Sequence, residues 1–208
     1  MRVVTIGEQS FGSHCYAIIS DDNHAMIVDP SASVAAIMST LSAEDAILEG
    51  ILITHGHFDH ILSLDLLRDA THVPAYIHED DAEMLTDGNK NMFASAYKKD
   101  RVWREADGVL HDGDEIPLGN EKIKVIHTPG HSKGCVCYLC GDTMITGDTL
   151  FSDNVGRTDL YGGSEEILEA SLQKLRSLGL NEDMPIFPGH GPAGKLGIAL
   201  DISAFFFN

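Results

Sequence analysis

The chain has 208 residues, 43% of them hydrophobic, which is the composition of an ordinary globular protein and is enough to bury a sizeable core. Its 14 basic and 32 acidic residues give a net charge of −18 without a basic stripe to offset it, so we expect neither nucleic acid nor an anionic membrane as a partner. The sequence shows no apolar run of about 18 residues and no secretory leader at its N-terminus, and it therefore predicts a cytoplasmic protein.

The first half of the sequence predicts strands that alternate with helices. The apolar runs VVTI, CYAIIS and AMIVD predict three strands separated by polar turns. Residues 33–42 predict a helix, because their apolar side chains follow the i, i+3, i+4 and i+7 spacing. The compact run ILIT predicts the next strand, and it leads into a buried helix over residues 61–70, a strand at VPAYI and a short helix over residues 79–85.

The second half begins with a polar, irregular stretch over residues 87–108, which we expect to form a surface segment that could lie over a site. Strands are then predicted at KIKVIHT, CVCYLC and TMITG, followed by an amphipathic helix over residues 165–178 and a last core strand at PIF. The terminal aromatic residues 205–207 are expected to be buried against the core. Strands and helices in both halves predict an α/β fold with sheets packed face to face, and the absence of a linker rich in Pro, Gly or Ser predicts one domain over residues 1–208.

Three of the four cysteines lie in the stretch CVCYLC, where thiolates at short spacing would be able to bind zinc. We favour a different interpretation. Cys135 and Cys137 alternate with Val136 and Tyr138 in a predicted strand, where a free cysteine serves as a small core residue. The spacing also does not fit a small disulfide-rich scaffold.

Polar residues follow four of the predicted strands: HGHFDH after ILIT, a histidine after IKVIHTPG, an aspartate after MITG and a histidine after PIFPG. These candidate ligands are His55, His57, Asp59, His60, His131, Asp148 and His190. Five imidazoles and two carboxylates exceed the four ligands of one tetrahedral ion and suit two ions that share a carboxylate. We therefore predict two divalent metal ions, with zinc as the first choice and iron or manganese as alternatives. The histidines that we interpret as structural or solvated are His14, His24, His72, His78, His111 and His127.

The stretch THGHFDH resembles the His-x-His-x-Asp-His motif of the metallo-β-lactamase superfamily. HTPGHS, GDTLF, GRTD and PGHGP resemble the later motifs of its glyoxalase II-like hydrolases, in the same order along the chain. The resemblance implies a four-layered αββα sandwich with the site at one edge of the sheets. It further implies that the first metal is held by His55, His57 and His131, and the second by Asp59, His60 and His190, with Asp148 bridging the two.

The resemblance also suggests roles for residues around the metals. Asp29 in IVDP would support the metal loop from behind, although a turn aspartate before proline is an equal alternative. Arg157 in GRTD either meets a substrate carboxylate or pins a loop. A water shared by two metals loses a proton readily and attacks a carbonyl as hydroxide, and Asp59 would orient it and accept its proton. A thiolate leaving group needs little acid assistance, since the pKa of a thiol is near 8.5, so we expect a small thioester substrate such as S-lactoylglutathione.

Details of the motifs narrow the choice within the superfamily. The β-lactamases have cysteine or serine where Asp148 stands, the oxygen-reducing di-iron members have glutamate in place of His57, and the lactonases have tyrosine in place of Phe151. Two activities share the remaining motifs: a thioester hydrolase, which we favour, and a persulfide dioxygenase with one iron. A non-catalytic metal-binding module is disfavoured because no ligand position is lost. Full-length glyoxalase II has a further helical domain that binds glutathione, so the choice of glutathione as the thiol stays open.

Overall fold

The computed structural model describes residues 1–7 and 12–207. In this part of the chain, two mixed sheets of six strands each lie at the centre of the fold. The first sheet contains, in spatial order, β1 (Arg2–Ile6), β2 (Cys15–Ile19), β3 (His24–Val28), β4 (Ile47–Leu52), β5 (Ala75–His78) and β6 (Gly108–Leu110). The second contains, from one edge to the other, β7 (Glu115–Leu118), β8 (Glu121–His127), β9 (Val136–Cys140), β10 (Thr143–Gly147), β11 (Pro185–Pro188) and β12 (Gly194–Lys195).

Helices cover the outer face of each sheet. The described helices are α1 (Val34–Ala43), α2 (Leu64–Thr71), α3 (Ala82–Leu85), α4 (Phe93–Tyr97), α5 (Glu165–Ser177) and α6 (Leu196–Ser203). Apolar residues of α1 and α2 pack on the first sheet, and those of α5 and α6 pack on the second. Among the described residues, no helix has the length and hydrophobicity that a membrane crossing requires.

The two sheets are held together because alternate side chains of one strand face two different apolar layers. In β2, Cys15, Ala17 and Ile19 belong to the cluster beneath α1 and α2, whereas Tyr16 and Ile18 face the second sheet. A third cluster joins β9 and β10 to α5 and α6. Three apolar layers therefore separate four layers of secondary structure, and the predicted αββα sandwich is confirmed.

The two predicted amphipathic helices form where the sequence supplies helix starts. Ser33 precedes α1 and accepts a hydrogen bond from the backbone N–H of Ala36, and Ser164 precedes α5 and accepts one from Ile167. Each serine satisfies one of the N–H groups that the first turn leaves without a partner. The helix predicted over residues 61–70 is shorter at its start, since α2 begins at Leu64 after a 3₁₀ turn over the metal motif.

The prediction that the terminal aromatic residues are buried is wrong for two of them. Residues 204–206 form a 3₁₀ turn after α6, which leaves Phe205 79% exposed and Phe206 47% exposed. Phe207 alone packs partly against the third apolar cluster.

The strands that precede the candidate ligands end at a common edge. In the first sheet, β4 ends at Leu52, one residue before the stretch THGHFDH begins at Thr54. In the second sheet, β10 ends at Gly147 and the parallel strand β11 ends at Pro188. Asp148 and His190 therefore lie just beyond the ends of neighbouring strands. Parallel neighbours place such residues at one rim, which is where a site can form from distant parts of the chain.

Candidate metal centre

All seven predicted ligands lie together at this rim. Their donor atoms form three overlapping groups, in each of which the atoms lie within 4.8 Å of one another. The groups are His55, His57 and His131; His55, His60 and Asp148; and Asp59, His60 and His190. The grouping places two metal positions next to each other, with Asp148 between them.

The spacing of the donor atoms fits ligands around an ion. Nδ1 of His57 lies 2.9 Å from Nε2 of His131, and Nε2 of His60 lies 3.3 Å from Nε2 of His190. Two nitrogens each about 2.0–2.1 Å from a tetrahedral zinc ion would be about 3.3 Å apart. Carboxylate oxygens of Asp148 lie 3.5 Å from Nε2 of His60, 3.5 Å from Nε2 of His190 and 3.6 Å from Nε2 of His131.

Several of these imidazoles are held in the tautomer that a metal requires. Nδ1–H of His131 donates to the backbone carbonyl of Arg157 at 2.7 Å, which leaves Nε2 as the free lone pair. Nδ1–H of His60 donates to Asp29 at 2.9 Å in the same way. Hydrogen bonds of this kind orient metal-bound histidines and raise their basicity.

Buried polar atoms without hydrogen-bond partners show that these residues fit metal ions. Nε2 of His55 and Oδ1 of Asp148 are buried without a hydrogen-bond partner among the described residues. An unpaired buried donor or acceptor costs about 1–3 kcal/mol, so two of them in one place call for another partner. Metal ions at the two positions would accept the lone pairs of both atoms. Nε2 of His57 also has no partner, but Nδ1 is the nitrogen of that ring that lies beside His131, and the two lone pairs of one imidazole diverge.

The two positions differ in charge. Burial, reinforced by neighbouring imidazoles, lowers the pKa of His55 and of His57 well below the ordinary histidine value, so both are neutral ligands. Burial acts in the same direction on His60, but the surrounding carboxylates, Asp59 foremost, outweigh it and raise its pKa to about 10. Burial would raise the pKa of Asp59, yet His60 and His190 hold it well below the ordinary value. The second position therefore favours positive charge more strongly than the first.

Asp29 lies next to ligands of both metal positions. Its backbone adopts φ +50, and its buried carboxylate accepts hydrogen bonds from N–H and O–H of Thr54 at 2.7 and 2.6 Å and from His60. The hydroxyl of Thr54 lies in turn 3.1 Å from Nδ1 of His55. One carboxylate thus contacts His60 directly and His55 through Thr54, and the supporting role of Asp29 stays a prediction.

Arg157 lies at the mouth of the centre with its charge already paired. Its side chain is 63% exposed, and Nε and one terminal nitrogen donate to the two carboxylate oxygens of Asp159 at 2.6 and 2.7 Å. A substrate carboxylate would have to compete with Asp159 for this guanidinium, so the predicted substrate contact stays a prediction. The backbone carbonyl of Arg157 accepts the hydrogen bond that orients His131.

The centre opens into a pocket of about 310 Å³ that is lined by both polar and apolar side chains. The lining residues are His57, Phe58, Asp59, Met92, Ser95, Ala96, His131, Asp148, Arg157, Leu160 and His190. Residues 92, 95 and 96 come from the polar stretch that we expected near a site, where α4 packs Phe93 and Tyr97 edge-on against Phe58. Phe58 of the stretch THGHFDH thus holds α4, whose residues form part of the pocket lining.

Sequence reasoning missed Asp81 and left His14 without a role. The buried carboxylate of Asp81 accepts hydrogen bonds from the loops that carry His55, His57 and His131. The sequence did contain a signal for it, because the polar residues HEDD follow the strand VPAYI, just as the ligand clusters follow other strands. His14 brackets His190: its backbone N–H donates to the carbonyl of Gly189 and its Nε2 lies 2.7 Å from the carbonyl of Gly191.

A further group of close donors, His78, Asp80 and His127, does not have the geometry of a metal site. The rings of His78 and His127 stack nearly parallel, 12° apart with centroids at 3.9 Å, so their in-plane lone pairs cannot converge on one ion. Nδ1 of His78 accepts the N–H of Asp80, and Nε2 of His127 lies 2.8 Å from the carbonyl of Lys133. These contacts fit the predicted structural role of both histidines.

Comparison with known proteins agrees with this geometry. A family model described as the metallo-beta-lactamase superfamily matches residues 10–190. The probable metallo-hydrolase YqgX of Bacillus subtilis is 34% identical over 182 residues, which cover 86% of this chain and 85% of that protein. The crystal structure of the BLEG-1 B3 metallo-beta-lactamase is 32% identical and superposes with a TM-score of 0.90 over 100% of both chains. That of TTHA1623 in a di-iron-bound form is 29% identical, with a TM-score of 0.78 over 99% of this chain and 100% of its own.

Proposed function

Because this chain belongs to the metallo-beta-lactamase superfamily as a metal-dependent hydrolase, we propose that it cleaves thioesters in the manner of glyoxalase II, with S-lactoylglutathione as the representative substrate. The observation that carries the proposal is the complete set of seven donors, with an aspartate at position 148 between the two metal positions. The resemblance of HTPGHS, GDTLF, GRTD and PGHGP to the glyoxalase II-like motifs supports the same choice.

The residues of the centre would bind the metal ions, and Asp59 would also orient the attacking water. Two divalent ions held by the seven donors would supply Lewis acidity and a water molecule of lowered pKa. Asp59 lines the pocket, and its low pKa keeps it ionised, so it can accept a hydrogen bond from that water and direct a lone pair toward the substrate carbonyl. A carboxylate of such low pKa holds a proton only briefly and is better suited to orienting water than to storing its proton.

The choice of a thioester follows from what the pocket offers a leaving group. Among the described lining residues, the three histidines and two aspartates belong to the metal centre and Arg157 is permanently charged, so none is a free general acid. An amine or alkoxide leaving group would need such an acid. A thiolate does not, since its conjugate acid has a pKa near 8.5. The apolar part of the lining, formed by Phe58, Met92 and Leu160 among others, suits the carbon chain of a small acyl thioester.

The persulfide dioxygenase is the second candidate, because that class of enzyme resembles this chain in the same later motifs and uses iron. The structural neighbour TTHA1623, at 29% identity, is described in a di-iron-bound form, so a protein similar to this chain binds that metal. Iron content alone therefore does not separate hydrolysis from oxygen chemistry, and the assay has to measure the reaction itself.

The test combines three substrate assays with a metal analysis, all on protein purified from its native host with its own metal. We expect thiol release from S-lactoylglutathione, no oxygen uptake on glutathione persulfide, and two metal ions per chain. Oxygen uptake by a one-iron protein that leaves the thioester intact would contradict the proposal and favour the dioxygenase. A β-lactam such as nitrocefin is the third substrate, because BLEG-1 is named a β-lactamase, and faster cleavage of nitrocefin than of the thioester would also contradict the proposal.

A further inference from the structure

Asp81 is a fully buried carboxylate that lies beside the metal centre without belonging to it. It ends the 3₁₀ turn Glu79–Asp81, directly before α3. Burial raises its pKa, although hydrogen-bond donors around it oppose that rise. A buried carboxylate is costly unless its oxygens are fully hydrogen-bonded, so its partners indicate what it is for.

The partners of Asp81 come from the two loops that carry the first metal's ligands. Oδ2 accepts the N–H of Gly56 at 3.1 Å, and Gly56 stands between His55 and His57. The same oxygen accepts the hydroxyl of Ser132 at 2.6 Å, one residue after His131. Oδ1 accepts the N–H of Gly134 at 2.7 Å. One carboxylate therefore clamps both loops at once.

We propose that Asp81 is a positioning residue for the three-histidine metal position, which it holds at ligand spacing by tying the loop of His55 and His57 to the loop of His131. The other position lacks this tie, because its ligands Asp59, His60 and His190 are oriented through Asp29 and the loop held by His14. The inference concerns how a metal is held and does not depend on which substrate is cleaved.

Only a carboxylate suits this clamp. Its two oxygens accept three donors: two backbone N–H groups, one on each side, and a serine hydroxyl. An asparagine of the same shape would turn an NH₂ group toward either Gly56 or Gly134, and the N–H there would face another donor. Ser132 can rotate its hydroxyl to adapt, but a backbone N–H cannot. Asp81→Asn therefore releases one loop while it keeps the volume of the side chain.

The test is a titration of metal-free protein with zinc against a competing chelator. Outer-shell partners of metal ligands are typically worth about 10- to 100-fold in metal affinity. We expect Asp81→Asn to weaken one of the two zinc ions by about that factor and to leave the other unchanged. Asp80→Asn is the matched control, because its half-exposed carboxylate is the sequence neighbour and lies outside the centre, and it should bind both ions like the wild type.

Two backgrounds identify which ion is affected. In a His190→Ala chain the three-histidine position remains, and adding Asp81→Asn should still weaken zinc by about 10- to 100-fold. In a His57→Ala chain the three-histidine position is lost, and adding Asp81→Asn should change nothing. Equal weakening of both ions, or unchanged affinity, would overturn the proposal. If Asp81→Asn does not fold, Ser132→Ala removes one tie and keeps the carboxylate: selective weakening of the same ion supports the clamp, and unchanged affinity contradicts it.

Discussion

Gly189 offers a sharp test of the geometry, because a single methyl group there would enter the metal centre. Its backbone lies outside the left-handed region, so alanine is conformationally acceptable at this position. A Cβ built on Gly189 would, however, collide with Oδ1 of Asp148 and would lie 2.7 Å from Cε1 of His60. Ordinary van der Waals contact begins at about 3.4 Å, so His60 would have to move by about 0.7 Å and Asp148 by more. Metal–ligand distances tolerate only about 0.2 Å.

Gly189→Ala should therefore fold and yet lose at least one metal, with a fall in affinity of about 10- to 100-fold or more. Metal per chain, measured by elemental analysis at buffered free zinc, gives the binding, and circular dichroism verifies the fold. Gly191→Ala is the control, because φ +74 strains that alanine backbone but its Cβ would meet nothing within 4 Å. Retention of both metals and of activity in Gly189→Ala would show that Asp148 and His60 do not ligate as inferred.

Residues around the centre and the buried thiols can be tested in the same way. Asp29→Ala leaves three buried donors of Thr54 and His60 without an acceptor, so the free energy of unfolding should fall by about 3 kcal/mol or more in urea titrations, and a loss below about 1 kcal/mol would refute the assignment. Carboxylates raise the pKa of His60, and a metal must displace that proton, so zinc should bind more weakly at pH 6 than at pH 8; equal affinities would contradict this. Burial raises the pKa of Cys137 to about 11 and also raises that of the other three thiols, so a thiol reagent at pH 8 should label the native protein slowly and the unfolded protein fully.

The sequence predicted the centre well because its ligands occupy dense, ordered motifs. Five of the seven donors lie beside a glycine and the other two lie in the short turn after β4, and such positions converge at the rim of an α/β sheet. The αββα sandwich followed from the resemblance, and the burial pattern of β2 shows its physical basis in side chains that alternate between two apolar layers.

Other features needed the fold. Asp81 lies 51 residues from Ser132 and 53 from Gly134 along the chain, and only the fold shows that both donate to its carboxylate. Short elements such as α4, β12 and α6 were not predicted, because their few residues lack a clear periodicity. The burial of Phe205 and Phe206 was predicted from their hydrophobicity alone. They are exposed because the 3₁₀ turn after α6 sets the direction of their side chains.

We propose that two metal ions held by these seven donors support thioester hydrolysis. The most direct test is the rate of thiol release from S-lactoylglutathione as metal-free protein is titrated with zinc, for the wild type and for Asp148→Ala. We predict that the wild-type rate rises until two ions are bound per chain, while Asp148→Ala stays nearly inactive at every zinc concentration. Full activity with one ion per chain, or in the absence of Asp148, would show that hydrolysis does not need the two-ion centre.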